Sequence, residues 1–157
     1  MLENLAKYLT ENKLVISTAE SCTGGLLSSM LTDISGSSEF VKLNFVTYAN
    51  EAKHEILGVS RDILNNFGAV SEECAREMAL GLVQKTGCDV ALCTTGIAGP
   101  TGGTKEKPVG LCYISCFFEN KVHIKKILLD SNIARIEMKK QFAQNAIKFA
   151  CEILSCK

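Results

Sequence analysis

Three segments of the sequence combine residue types that could carry out hydrolytic chemistry. The first, residues 18–25, places Ser21 in a turn between an apolar run and a helical pattern, with two glycines behind it. Backbone N–H groups at the start of a helix can stabilise a negative charge that develops beside such a serine. Serine is also a residue that simply caps helices. Taken alone, the segment favours capping over catalysis.

The second segment, residues 46–53, ends a predicted strand with Tyr48 and places Lys53 one turn into the next predicted helix. Burial disfavours the charged form of a lysine, and the neutral amine can then act as a base. A neighbouring phenol can orient a proton or relay it. Without other information, the segment is more typical of an exposed lysine and a half-buried tyrosine.

The third segment, residues 94–110, is rich in glycine, hydroxyl groups and lysine and lies between two apolar runs. Such a composition suits a phosphate or another polar ligand. It is neither a Walker loop nor a dinucleotide-binding fingerprint, because no Gly-Lys-Ser/Thr opens a helix and a strand follows it. Long irregular loops between buried elements are usually functional, so this segment favours a binding role.

The sequence has no histidine that is well placed to activate a catalytic serine. Of the two histidines, His54 adjoins Lys53 and points about 100° away from it on a helix, and His123 lies in a predicted hairpin strand. A nucleophilic Ser21 therefore needs a lysine or a tyrosine as its activator. Cys22 is a rival nucleophile, and it has no evident histidine partner either.

The elements that must position these segments alternate between strand and helix. Ser71 and Gly58 mark a helix start and a helix end, and the residues Glu119-Asn120 mark a hairpin turn. The pattern predicts a single α/β domain over residues 1–157, a three-layer α/β/α sandwich with a mixed sheet. The predicted helices are 2–12, one opening near residue 23, 50–57, 61–66, 72–86 and 133–154, and the predicted strands are 14–18, 40–48, 89–94, 109–118 and 121–129.

The charge balance and the hydropathy of the sequence argue against a nucleic-acid-binding protein and against a membrane-spanning one. Seventeen basic residues balance seventeen acidic ones, so no general field attracts nucleic acid or an anionic membrane. No apolar run approaches the roughly 18 residues of a membrane span, and residues 1–5 lack the basic start of a signal peptide. We therefore expect a cytoplasmic protein with neither nucleic acid nor membrane as a partner.

The eight cysteines form no Cys-x-x-Cys motif, and two histidines are too few to complete an ordinary zinc site. We expect most of the thiols to be reduced and buried as small apolar side chains, with no metal bound. A redox-sensing role has little support, because no pair of cysteines shows motif spacing.

Together and in this order, the three segments resemble the CinA C-terminal-domain family. The resemblance spans essentially the whole chain, and its motifs are long and specific. The matching runs are residues 19–25 (Ala-Glu-Ser-Cys-Thr-Gly-Gly), 46–48 with Asn50 and Lys53, 68–71 (Gly-Ala-Val-Ser), and 95–100 (Thr-Gly-Ile-Ala-Gly-Pro) with Gly102, Gly103, Lys107, Pro108 and Gly110.

The resemblance implies an amidase that converts nicotinamide mononucleotide and water into nicotinate mononucleotide and ammonia. It implies no metal and no cofactor, a small-molecule nucleotide substrate, and assembly as a homo-oligomer, a dimer or larger. Many members carry this domain behind a larger N-terminal domain, and this chain looks like the standalone form.

Carried over to this sequence, the resemblance implies that Ser21 attacks the amide carbonyl and Lys53 deprotonates it. Tyr48 would orient the pair or relay the proton to ammonia, and backbone N–H groups of residues 22–24 would bind the oxyanion. The remaining residues expected around the substrate, apart from a basic pair described next, are Glu20, Cys22, Thr23, Gly24, Gly25, Thr95, Gly96, Ala98, Gly99, Gly102 and Gly103.

Two departures from the family pattern affect the basic pair and one turn. Arg135 and Lys139 share a helix face and would hold the phosphate, but the family tends to have Gly-Asp-Arg and a second arginine there. Lysine offers a single point charge, whereas the arginine guanidinium can bind a phosphate with two hydrogen bonds. The alternative to a phosphate site is a solvated basic face that also includes Lys140. Asn44 stands where the family often has glycine. A nucleotide-binding or regulatory module without catalysis is therefore the second hypothesis.

Overall fold

A computed structural model of the protein describes residues 1–156. Six helices surround five strands, and a short 3-10 turn precedes the second strand. The elements in chain order are α1 (Leu2–Glu11), β1 (Ile16–Glu20), α2 (Leu26–Thr32), the 3-10 turn Ser37–Glu39, β2 (Phe45–Val46), α3 (Asn50–Leu57), α4 (Arg61–Asn66), α5 (Glu72–Thr86), β3 (Val90–Gly96), β4 (Leu111–Phe118), β5 (Lys121–Leu128) and α6 (Arg135–Leu154).

The strands form one mixed sheet in the order β2-β1-β3-β4-β5. Strand β1 runs parallel to β2 and β3, while β4 is antiparallel to β3 and to β5. In the register, Glu20 lies opposite Val46 on one side and Thr94 on the other. The carboxyl ends of three parallel strands therefore meet at one edge, where such sheets hold their ligands. The predicted mixed sheet is confirmed.

Helices cover both faces of the sheet, which confirms the α/β prediction. Helices α1, α2 and α6 pack on one face around a core that includes Leu9, Leu31 and Phe142. Helices α3, α4 and α5 cover the other face around Met78 and Leu82. All eight cysteines within residues 1–156 are free, and seven of them are buried. No helix in this described part combines the length and the apolar character that a membrane crossing needs.

Local capping chemistry explains why several helix boundaries agree with the sequence prediction. The Ser71 hydroxyl accepts a hydrogen bond from the Cys74 N–H at the start of α5, and Ser60 caps α4 in the same way. Gly58 ends α3 in the left-handed conformation, with φ of 69°, which glycine adopts without steric penalty. The predicted limits of α4 and α5 are confirmed.

The predicted strand over residues 40–48 is wrong for most of its length. Only Phe45 and Val46 pair with β1, and Val41 makes an isolated bridge to Ile16. Between them, the Asn44 side-chain oxygen accepts the Thr18 N–H at 2.9 Å, so a side chain replaces the backbone in the ladder. An edge strand can lose regular pairing in this way because it has only one neighbour.

The start of α2 is also shifted from the prediction. The helix begins at Leu26 instead of near Thr23, because residues 21–25 form a turn before it. Gly24 and Gly25 in that turn have φ of 61° and 99°, a region that disfavours residues with a Cβ. The turn thereby separates Ser21 from the helix proper, so Ser21 does not occupy the N-cap position.

A glycine in α5 allows that helix to approach α3 closely. A Cβ added at Gly81 would lie 1.7 Å from the carbonyl oxygen of Leu57, the last residue of α3. Because the contact is with backbone, no side-chain rotation can relieve it. The position of α3 relative to the sheet therefore depends on the absence of a side chain at residue 81.

We predict that Gly81→Ala destabilises the protein by roughly 2 kcal/mol or more, because the clash outweighs the gain of about 1 kcal/mol in helix propensity. Urea denaturation followed by circular dichroism measures the change. The matched control is Gln84→Ala, an exposed position in the same helix, where we expect a change within about 0.5 kcal/mol. A Gly81→Ala variant as stable as wild type would contradict this account of the packing.

Candidate active site

A cavity of about 270 Å³ lies at the sheet edge where β1, β2 and β3 end. The three segments with potential chemistry all contribute to it, and so does a fourth segment before α5. The lining residues are Ser21, Cys22, Tyr48, Asn50, Lys53, Ala69, Val70, Thr95, Gly96, Ile97, Ala98, Gly99, Thr101, Gly102 and Arg135.

Ser21 is held at the cavity by the continuation of the sheet. Its N–H donates to the Thr94 carbonyl at 3.0 Å, one residue beyond the last pair of β1 and β3. The residue is 8% exposed, and its hydroxyl oxygen lies 2.9 Å from Lys53 Nζ. The hydroxyl is therefore close to an amine and open to the cavity.

Lys53 is buried, with 1% of its surface exposed, and three neutral oxygens surround its amine. Besides Ser21 Oγ, the Nζ atom lies 2.9 Å from the Thr47 carbonyl oxygen and 3.0 Å from the Tyr48 carbonyl oxygen. None of these three hydrogen-bond partners carries a charge. Burial, which disfavours the ammonium form, lowers the pKa of Lys53 below its ordinary value.

This arrangement satisfies both protonation states of the amine. As an ammonium, Lys53 donates one hydrogen bond to each of the three oxygens. As a neutral amine, it donates to the two carbonyl oxygens, and its lone pair can accept the hydroxyl proton of Ser21. A proton can therefore move between Ser21 and Lys53 without leaving a polar group unpartnered.

The phenol of Tyr48 does not join this pair, contrary to the sequence expectation. Tyr48 is 59% exposed, and its phenol oxygen accepts a hydrogen bond from Arg135 Nη2 at 3.2 Å. Its backbone carbonyl, in contrast, binds Lys53. Tyr48 follows the edge strand β2, where no further strand covers it, so its side chain lies on the rim of the cavity.

Glu20 also departs from its expected place among the substrate-binding residues. Its carboxylate is fully buried and accepts hydrogen bonds from the Thr23 hydroxyl at 2.6 Å and from three backbone N–H groups. Those N–H groups belong to Gly25, Leu27 and Ser28, at 3.2, 2.8 and 2.9 Å. Because Glu20 occupies the donors at the start of α2, it stabilises the turn that carries Ser21 instead of facing the cavity.

The turn after Ser21 leaves two backbone N–H groups without an acceptor, and one of them lines the cavity. The Gly24 N–H donates to the Ser21 carbonyl oxygen at 3.1 Å, so this donor is occupied. The N–H groups of Cys22 and Thr23 have no hydrogen-bond acceptor among residues 1–156. Of the three donors considered for an oxyanion, Cys22 and Thr23 are therefore unoccupied, and only Cys22 lines the cavity with Ser21.

One wall of the cavity comes from Ala69 and Val70, in the segment 67–70, which was not among the predicted site residues. Three side chains hold three successive carbonyl oxygens of this segment. The Thr95 hydroxyl donates to Ala69 at 2.8 Å, the Ser71 hydroxyl donates to Gly68 at 2.8 Å, and Lys107 Nζ donates to Phe67. Only the family-like run at 68–71 signalled this wall in the sequence.

The glycine-rich loop also lines the cavity and is tied to α6. Arg135 Nη1 donates to the Gly99 carbonyl at 2.5 Å, and the same guanidinium reaches the phenol of Tyr48. Gly103 does not line the cavity, although the resemblance implied that it would lie beside the substrate. A Cβ at Gly103 would lie 2.7 Å from the Val109 nitrogen, so this glycine serves the packing of the loop itself.

The expected basic pair is divided between two cavities. Arg135 lines the first, whereas Lys139 lines a neighbouring cavity of about 350 Å³. Residues 23–25 line only this second cavity, and residues 21–22 line only the first, because the turn lies between them. Thr23, Gly24 and Gly25 thus lie beside Lys139, not beside the Ser21 hydroxyl.

Within the described chain, no group of three or more His, Cys, Asp or Glu side chains could hold a metal ion.

Comparison with known proteins gives consistent matches. A family model described as the CinA C-terminal domain matches residues 1–154. A Clostridium beijerinckii protein named as competence-damage inducible is 55% identical over 137 residues, covering 86% of this chain and 33% of that protein. A CinA-like protein of Kosmotoga olearia is 45% identical over 147 residues, covering 94% and 35%. The chain spans about a third of the length of these curated relatives.

Solved structures agree over nearly the full chain. The competence/damage inducible protein CihA from Agrobacterium tumefaciens superposes with a TM-score of 0.91 at 40% identity, covering 98% of this chain and 95% of that one. A CinA superfamily protein from Klebsiella pneumoniae superposes with a TM-score of 0.93 at 29% identity and the same coverage. These descriptions name no reaction.

The lowered pKa of Lys53 predicts how stability changes with pH. The unfolded chain regains the ordinary lysine pKa, so between the lowered and the ordinary value it binds more protons than the folded chain, and stability rises with pH there. Relative to Lys53→Met, wild type should gain up to about 1.4 kcal/mol per pH unit within that window. Denaturant titrations of both proteins at several pH values measure this difference. A difference between wild type and Lys53→Met that stays constant with pH would contradict the assignment.

Proposed function

The chain belongs to the CinA C-terminal-domain family, and from this membership and the geometry of the cavity we propose that it is a nicotinamide mononucleotide amidohydrolase. The reaction converts the carboxamide and water into nicotinate mononucleotide and ammonia. One observation carries the proposal: a cavity-lining serine hydroxyl lies 2.9 Å from a buried amine without a charged hydrogen-bond partner.

Hydrolysis of an amide needs an activated nucleophile, and the pair of Ser21 and Lys53 suits that task. In the first step, neutral Lys53 accepts the hydroxyl proton while Ser21 Oγ forms a bond to the carboxamide carbon. The two carbonyl oxygens of Thr47 and Tyr48 hold the amine in position during this transfer. The lowered pKa of Lys53 keeps more of the amine in the neutral form that the step requires.

The tetrahedral intermediate carries a negative oxygen, which needs donors already in place. We assign this role to the backbone N–H group of Cys22, which lines the cavity. When the intermediate collapses, the C–N bond breaks, and the Lys53 ammonium supplies the proton that ammonia takes away. Water then attacks the acyl-serine, with Lys53 again as the base, and Ser21 is regenerated.

The rim of the cavity supports the nucleotide part of the substrate. Arg135 bridges the loop at Gly99 and the phenol of Tyr48, and besides the buried Lys53 it is the basic residue that lines this cavity. We propose that the Arg135 guanidinium binds the phosphate. Tyr48 would position the guanidinium and, through it, the phosphate. Lys139 and residues 23–25 contribute only if the ligand extends into the neighbouring cavity. Cytoplasmic location, expected from the sequence, stays a proposal. Assembly as a homo-oligomer is a proposal that the resemblance supplies, and light scattering tests it.

The division of the basic pair favours one second candidate, a nucleotide-binding module without catalysis. Its cavity would then bind the nucleotide through Arg135 alone, with no role for the Ser21 hydroxyl. Calorimetry that detects binding of nicotinamide mononucleotide, combined with no release of ammonia, would select this alternative.

We predict that Ser21→Ala and Lys53→Met lower ammonia release from nicotinamide mononucleotide by about 1,000-fold or more, because each removes half of the proton-transferring pair. The wild-type rate should fall as pH decreases, since the amine becomes protonated. A coupled ammonia assay measures both effects, and Ser35→Ala, in an exposed loop, should retain full activity. A flat profile from about pH 6 to about pH 9, with Lys53→Met still active, would refute the mechanism.

We predict that Tyr48→Phe raises KM about three- to tenfold and changes kcat less, because its phenol bonds to Arg135 and not to the reacting pair. Arg135→Ala should also act mainly on KM. Steady-state kinetics separates the two parameters, and Tyr8→Phe on α1 is the control. A kcat loss above about 100-fold in Tyr48→Phe would instead indicate that the phenol relays the proton.

A further inference from the structure

Two thiols that are far apart in the sequence meet beside the candidate active site. The sulfur atoms of Cys22 and Cys112 lie 4.0 Å apart, although 90 positions separate the residues. Cys22 follows Ser21 directly and lines the cavity, whereas Cys112, in β4, is fully buried behind it. A disulfide has a sulfur–sulfur bond of about 2.0 Å, so the two atoms need to approach by only about 2 Å.

The space for this pair depends on a missing side chain. Gly96 is the register partner of Cys112 and lines the same cavity as Cys22. A Cβ added at Gly96 would lie 2.9 Å from both the Cα and the Cβ of Cys112. The glycine therefore lets the backbone of Cys112 come close to the end of β3. Cys22 lies at the same place, on the side of the cavity.

We propose that Cys22 and Cys112 form an oxidative modification site, at which a hydroperoxide that enters the cavity converts the two thiols into a disulfide and switches the enzyme off. The inference goes beyond the amidase reaction. Its predicted loss of activity rests on the proposed function, whereas formation of the disulfide does not.

The chemistry proceeds in two balanced steps. The Cys22 thiolate attacks a hydroperoxide ROOH, the O–O bond breaks, and the products are Cys22 sulfenic acid and, after protonation, ROH. The Cys112 thiol then attacks the sulfenic sulfur, the S–S bond forms, and the Cys112 proton leaves with the hydroxide as water. The two cysteines lose two electrons in total, and the peroxide gains them.

Access assigns the first step to Cys22. It is the only cysteine of the described chain that lines this cavity, so a hydroperoxide that enters the cavity meets Cys22 first. Burial raises the pKa of the Cys112 thiol. Cys112 is therefore suited to react second, with a sulfenic acid that is already in contact.

Closure of the disulfide would disturb the neighbouring catalytic groups. Cys22 supplies the proposed oxyanion donor and is bonded to Ser21, whose hydroxyl must stay near Lys53. Movement of the sulfur by up to about 2 Å displaces the turn at residues 21–23, and misplacement of about 1 Å can lower a rate by roughly 100-fold.

The experiment treats the full chain with hydrogen peroxide, alkylates the remaining thiols, and maps disulfides by peptide mass spectrometry. We expect a linked Cys22–Cys112 peptide in wild type, loss of ammonia release by roughly 100-fold, and recovery of the rate after dithiothreitol. In Cys112→Ala, oxidation stops at the Cys22 sulfenic acid, so this variant should give no linked peptide and should lose clearly less activity than wild type under the same treatment. Cys116→Ala is the matched control, since Cys116 is also fully buried in β4, and it should be inactivated like wild type.

The outcomes separate the two proposals. If the linked peptide forms but the untreated protein releases no ammonia, the thiol site stands and the proposed amidase function fails. If the enzyme is active and no Cys22–Cys112 link forms, or if Cys112→Ala is inactivated as fully as wild type, the thiol site is overturned. Cys112→Ser repeats the test should the alanine variant fold poorly, and the mapping of wild type decides independently of any variant.

Discussion

A buried amine without a charged partner is the constraint on which the rest of this structure depends. An ammonium in such a place loses its hydration, and burial therefore shifts Lys53 toward the neutral form. Two backbone carbonyl oxygens and one hydroxyl compensate for the lost water. A carboxylate in the same position would stabilise the ammonium and remove its basicity, so the neutrality of the three oxygens is a functional property of the fold.

The surrounding elements can be understood from the need to hold that amine in place. Thr47 and Tyr48 present their carbonyl oxygens because the chain leaves the edge strand β2 there and turns into α3. Helix α3 carries Lys53 inward and packs against α5 at Gly81. On the other side, the Glu20 carboxylate secures the turn of Ser21 by binding the first N–H groups of α2. The packing of α3 and the turn held by Glu20 together set the distance of 2.9 Å between Lys53 Nζ and Ser21 Oγ.

Much of the fold was predictable because its signals are local. Ser71, Gly58 and the Glu119-Asn120 turn are capping and hairpin residues whose effect extends over a few neighbours, and the helices and the hairpin they delimit appear where expected. The strand over residues 40–48 failed because its pairing depends on Asn44, whose side chain replaces a backbone acceptor. The apolar run there is compatible with either structure, so the pattern could not reveal the replacement.

By itself, the sequence determined the residue types of the site, the order of its three segments and the alternation that predicts a layered α/β domain. It could not decide which atoms meet, because a side chain's direction depends on twist, edge position and packing between distant segments. Only the tertiary structure joined Ser21 to Lys53, left the phenol of Tyr48 on the rim with Arg135, turned Glu20 away from the cavity and brought Cys22 to Cys112. Apart from the local contacts of Glu20 with the following turn and α2, each of these contacts spans elements whose relative positions are set by the whole core, and such positions are not encoded in local spacing.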